Sequence, residues 1–202
     1  MNGVSLDRFK ALARDYEYIP LWADLSGDLD TPVSLVKKLG GCVYLLESVE
    51  RGESLGRHSF IGIDPLLWLE VEAESCRIIR TADSSITIVK DDPLLVIKET
   101  LNSLNVAPLE EIKGIGGAVG YFGYDTVRRL EELPLMATDD LNVPESKFVV
   151  ARCVIAVDHI TKLVRVVVLA NRGQDPVKSY RLGMRYLGSI IKRLQGRTVK
   201  PQ

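Results

Sequence analysis

Apolar positions along the chain follow two rhythms, one of three-and-four spacing and one of near-continuous runs. Leu35, Val36 and Leu39 share one face of a predicted helix. Thr31 stands before it as an N-cap, and Pro32 takes the first helical position, where a missing N–H costs nothing. Gly40 and Gly41 end it. The same device recurs at Asp92 and Pro93, ahead of Leu94, Ile97, Leu101 and Leu104. It recurs again at Asp175 and Pro176, where Tyr180, Met184, Leu187, Ile191 and Leu194 trace one apolar stripe. A shorter helix starts near Ser5 and uses Leu6, Phe9 and Leu12.

Strands are predicted near residues 18–24, 42–47, 58–63, 66–72, 76–80, 86–89, 115–122, 147–157 and 163–170. The last two are the clearest. "FVVARCVIAV" and "VRVVVLA" flank the turn-like "DHITK", which makes a hairpin with a five-residue loop. Their unbroken apolar runs suit strands covered on both faces. Hairpins mixed with separate helices favour an α+β fold over a wound parallel sheet. The final "GRTVKPQ", residues 196–202, reads as the start of a linker, which leaves 1–195 as one domain.

Composition narrows the partners. The 202 residues carry a formal net charge of −1, so nucleic acid and anionic membrane are not expected as general partners. No window approaches the roughly 18 uninterrupted apolar residues of a membrane span, and "MNGVSLDRFKALARDYEY" lacks the apolar core of a signal peptide. Cys42, Cys76 and Cys153 are odd in number and far apart, which predicts reduced thiols in a cytoplasmic protein. His58 and His159 lie about a hundred positions apart, which argues against a histidine-based metal site.

Two stretches carry candidate chemistry. In "YLLESVERGESLGRHSFIGIDP", residues 44–65, an apolar strand runs straight into Glu47 and Ser48, and Arg57 waits on the return. A free amino acid presents an ammonium and a carboxylate. A carboxylate with a hydroxyl meets the first, and a cation meets the second. Leu46 would add apolar contact. The plainer reading is a strand entering solvent with an incidental surface pair, worth about 0–1 kcal/mol, and spacing alone favours it. In "GIGGAVGYFGYDTVRRLEELP", residues 114–134, the glycines match no phosphate-binding loop. They suit a strand that lets another backbone, ligand or subunit approach closely.

In order along the chain, "YIPLWADLSGDLDTPVSLVKKL", "LLESVERGESLGRHSFIGIDP", "GIGGAVGYFGYDTVRRLEELP" and "DDLNVPESKFVVARCVIAVDH" resemble the amino-terminal region of component I of anthranilate synthase, over about residues 17–195. The resemblance implies orthogonally packed antiparallel sheets with helices on the outside, half of an α/β/β/α layered fold. It implies an enzyme that makes anthranilate and pyruvate from chorismate, with ammonia delivered by a glutamine amidotransferase subunit, in the first committed step of tryptophan biosynthesis. Catalytic residues and Mg2+ would belong to a carboxy-terminal chorismate-binding domain outside these residues. No catalytic residue, metal ligand or cofactor is therefore assigned to this chain, and it is expected to be inactive alone. The family's L-E-S motif falls on Leu46, Glu47 and Ser48, which would line a regulatory L-tryptophan site. Arg57 is the counterpart of a basic residue of that site beyond the loop. Two other readings stay open: the same region of aminodeoxychorismate synthase, and a freestanding amino-acid-binding module.

Overall fold

The computed structural model describes residues 3–47, 57–72, 75–129, 131 and 143–196, apart from the side chains of 125, 128 and 129. Among these residues are four α-helices: α1 (Leu6–Leu12), α2 (Pro32–Leu39), α3 (Pro93–Ser103) and α4 (Pro176–Gln195). Eight strands accompany them: β1 (Tyr18–Ser26), β2 (Cys42–Leu46), β3 (His58–Glu72), β4 (Ser75–Arg80), β5 (Ile86–Val89), β6 (Ala118–Phe122), β7 (Ser146–Asp158) and β8 (Leu163–Asn171). The architecture is α+β with antiparallel strand pairing, as the sequence predicts. It divides into two compact units: Met1–Asp64 with Leu104–Gly116 and Ala151–Gln202, and Pro65–Ser103 with Gly117–Val150. β3 and β7 each run from one unit into the other.

Helix starts follow from local hydrogen bonding. Thr31 Oγ1 accepts from the Ser34 amide at 3.1 Å, and Ser34 Oγ accepts from the Thr31 amide at 3.0 Å, a reciprocal capping box. Asp175 Oδ1 accepts from the Val177 and Lys178 amides at 2.9 and 3.1 Å. Such caps satisfy amide groups that have no partner inside the helix.

In the first unit, β8 pairs with β1 from Tyr18↔Asn171 to Ser26↔Leu163, and with β7 from Cys153↔Val168 to Asp158↔Leu163. That last pair shortens the predicted five-residue loop to four, with Lys162 at φ 55°. The β1–β8 register carries a bidentate pair, Asp24 with Arg165, at 2.6 and 2.7 Å. α4 packs on β8 and β1, and α1 and α2 pack against α4. Ile19, Leu21, Ile155, Val166, Val168, Leu187 and Ile190 are fully buried there. The centre of the α4 stripe is displaced from the predicted one: Gly183, Leu187, Ile190 and Leu194 are buried, while Tyr180, Met184 and Ile191 are half-buried beside them. Gly183 sits where a side chain would meet Leu21 and Ala170, so the helix comes down on the sheet at that point.

In the second unit, β3 pairs with β4 from Leu67↔Arg80 to Glu72↔Ser75, β4 pairs with β5, and β6 pairs with β7 from Ala118↔Val150 to Phe122↔Ser146. The two strands predicted at 58–63 and 66–72 are one. Asp64, at φ 57°, lies within β3 and does not end it. β6 starts at Ala118 rather than near 115, because Gly114, Gly116 and Gly117 take positive φ values that a strand does not use. The buried stripe of α3 is displaced from the expected one: of the predicted set Leu104 is buried and Ile97 and Leu101 are half-buried. Pro93, Val96 and Thr100 are buried, whereas Leu94 is 45% exposed.

Candidate functional site

β2 lies against the first part of β3, with Leu46 opposite Phe60. The exit of β2 and the entry of β3 therefore share one end of this ladder. The pair is seated by Tyr44, whose ring covers Gly62 directly across from it, in space that any side chain at Gly62 would fill. Burial pushes the Tyr44 phenol up to about 12. A register shift between Cys42 and Tyr44 adds local twist to the strand. Beyond this packed stretch, Leu46 is 45% exposed and Glu47 is also exposed. An apolar side chain and a carboxylate thus stand at the open end of an anchored strand. Ser48 lies outside the described residues.

On the return limb, Arg57 is held by a residue the sequence reading missed. Its Nε and Nη2 donate to Asp158 Oδ2 at 2.9 and 2.6 Å. Asp158 Oδ1 accepts from the Ile160 and Thr161 amides at 2.9 and 3.0 Å. The Arg57 guanidinium, followed by these turn amides, holds the Asp158 carboxyl far below the usual carboxylate range. The backbone joins in, because the His159 amide donates to the Arg57 carbonyl at 2.9 Å. Ser59 Oγ and His159 Nε2 are 2.7 Å apart, and His58 Nε2 lies 3.6 Å from Asp158 Oδ2. His58 also stacks on Phe60 at 6.1 Å.

Both histidines therefore lie near the start of the β7–β8 turn despite their separation in sequence. Among the described residues, however, no three His, Cys, Asp or Glu side chains are grouped so that they could hold a metal ion. One sequence signal for Asp158 existed: an aspartate opening a tight turn captures the amides two and three residues on.

Two clefts flank the segment between β1 and α2. One of about 250 Å³ is bounded by residues 27–31 and by Val157, Asp158, His159 and Lys162. The other, of about 450 Å³, is bounded by Leu25, Leu35, Val164 and Leu194 among others. Neither is lined by Leu46, Glu47 or Arg57, each of which is exposed. No helix among the described residues is long and apolar enough to cross a membrane.

No protein-family profile matches the chain. Known proteins do. Anthranilate synthase component 1 of Acetivibrio thermocellus is 38% identical over 167 residues, covering 81% of this chain and 34% of the relative. The protein of that name in Pseudomonas aeruginosa is 33% identical over 197 residues, covering 94% and 39%. That in Synechocystis is 29% identical over 204 residues, covering 96% and 40%. The crystal structure of anthranilate synthase component I from Streptococcus pneumoniae superposes with a TM-score of 0.58 at 20% identity, over 86% of this chain and 36% of that one, and so shares the fold. The chain thus spans between a third and two-fifths of the length of the relatives it matches. By this homology the chain belongs to the anthranilate synthase component I family.

Proposed function

We propose that the chain is the amino-terminal, regulatory part of anthranilate synthase component I, and that Leu46, Glu47, Ser48 and Arg57 form much of a feedback site for L-tryptophan. The observation that carries this reading is the placement of the first two and the last. Leu46 and Glu47 are exposed at the end of a strand anchored by Tyr44, and Arg57 stands three residues before Phe60, the ladder partner of Leu46. A carboxylate is thereby offered to an ammonium, a cation to a carboxylate, and a leucine to an indole ring. Chemistry on chorismate, Mg2+ and ammonia from a glutamine amidotransferase subunit are assigned to the rest of a longer assembly in the cytoplasm. No chemical step is assigned to residues of this chain. All the relatives named above are anthranilate synthases, which favours the tryptophan pathway over aminodeoxychorismate synthase.

Calorimetric titration of the chain with L-tryptophan, with L-phenylalanine as control, tests this reading. Selective heat is expected for tryptophan, weakened about tenfold or more by Glu47→Gln or by Ser48→Ala, the scale of losing one hydrogen bond to a charged group. A cooperatively folded sample that gives no heat would overturn the assignment of the site to this chain.

A further inference from the structure

We infer that Asp158 is a positioning residue for this site: from the tip of the β7–β8 hairpin it fixes the plane of the Arg57 guanidinium and sets which edge a bound carboxylate meets. This inference rests on the reading that Arg57 receives the carboxylate of an amino acid. Arg57 is the first described residue of its limb, and its side chain is 45% exposed. Nothing in such a setting confines an arginine, whose long side chain loses much rotamer freedom on being ordered. Asp158 supplies the constraint, and its own geometry is fixed first. The side chain is only 11% exposed, and Oδ1 is occupied by two turn amides. The remaining oxygen, Oδ2, takes both Nε and Nη2 of Arg57.

A guanidinium has five N–H groups in a planar fork. Using the Nε–Nη2 edge on one oxygen leaves the Nη1–Nη2 edge of the same planar fork. That second edge is the one suited to a bidentate contact with a ligand carboxylate. The hairpin is in turn tied to the same limb by the His159 amide on the Arg57 carbonyl and by Ser59 with His159. Asp158 is therefore a fixed reference in this unit, against which Arg57 is aimed. The arrangement implies selectivity for the carboxylate of the ligand rather than a general attraction for anions, because Asp158 already balances the charge of Arg57.

The test compares L-tryptophan with L-tryptophanamide, which keeps the indole and ammonium and lacks the carboxylate. Affinities are measured for the chain and for its Arg57→Ala, Asp158→Asn and Asp158→Glu variants. The unaltered chain is expected to prefer tryptophan, and Arg57→Ala to abolish that preference. Asp158→Asn is expected to reduce it about tenfold, the scale of one charged hydrogen bond, with the affinity for the amide unchanged. Asp158→Glu keeps the charge but moves it by one methylene, and gives the same reading should the asparagine variant fail to fold. If Arg57→Ala abolishes the preference while both Asp158 variants keep it, the inference is wrong and the site reading stands. Equal weakening toward tryptophan and the amide would make Asp158 merely structural, and would also overturn the inference. If the unaltered chain shows no preference, or Arg57→Ala retains it, the site reading itself fails.

Discussion

Truncating Phe9 to alanine is expected to cost the first unit about 3–5 kcal/mol, the range for removing a fully buried aromatic side chain. Phe9 is 0% exposed. Its ring meets Tyr180 of α4 edge-on at 5.5 Å, and the Tyr180 hydroxyl donates to the Val4 carbonyl at 3.1 Å. α1 has seven residues, too few to be stable as an isolated helix. Its Ser5 cap accepts from the Arg8 amide at 3.2 Å and so orders the first turn, but cannot dock the helix. Phe9 is the buried residue of the helix, and an alanine there leaves a cavity where α1 meets α4. Against a typical unfolding free energy of 5–15 kcal/mol, the loss is a large fraction. Urea unfolding followed by Trp22 emission, in a Trp68→Phe background, reads it directly. Trp22 is 5% exposed on β1 in the same unit. A loss below about 1 kcal/mol, the size of a surface change, would show that α1 is held in some other way.

The second large effect is expected at Gly120, where alanine should cost the second unit about 3 kcal/mol, the upper end for added volume in a packed site. A Cβ built there would fall against the carbonyl oxygen of Lys147 and within 2.7 Å of the Phe148 Cα. Both obstacles are backbone, so the neighbour cannot yield by changing rotamer. The structural response left is separation of β6 from β7, which would also part Phe122 from Phe148, whose ring centroids are 4.7 Å apart. The readout is built in. The Lys147 ammonium lies over the Trp68 ring at 5.1 Å and contacts Glu70 at 2.8 Å. Displacement of β7 at Lys147 should therefore change Trp68 emission before global unfolding. An unchanged melt with unchanged emission would mean that β6 does not depend on this close approach.

The same two residues show why some of the fold was legible in the sequence. Phe9 belongs to the apolar repeat of a helix that starts near Ser5, and Gly120 sits in a glycine-rich strand whose spacing matches no phosphate-binding loop. Both signals are local, and both readings agree with the contacts in the structure. The cap pattern at Thr31 and Ser34 was equally legible, since its partners lie three residues apart. The centre of the buried stripe of α3 was less legible than its existence. Leu94 and Leu95 look alike to a periodicity argument, and only packing against β4 decides that Val96 and Thr100 turn inward. The candidate site divides in the same way. Leu46, Glu47, Ser48 and Arg57 were named through resemblance, helped by the chemistry of a free amino acid. Asp158 carries no such signal toward Arg57, which lies 101 positions away and comes beside it only because β7 neighbours β3 in the sheet.

Backbone amide chemical shifts, followed as L-tryptophan is added to the chain, report where the ligand sits as well as whether it binds. Saturable shifts are expected at Leu46, Glu47, Ser48, Arg57 and Phe60, with little change along α3 or β5. Shifts gathered instead around residues 27–31 and Lys162, at the neighbouring cleft, would contradict this placement and move the site away from the end of β2.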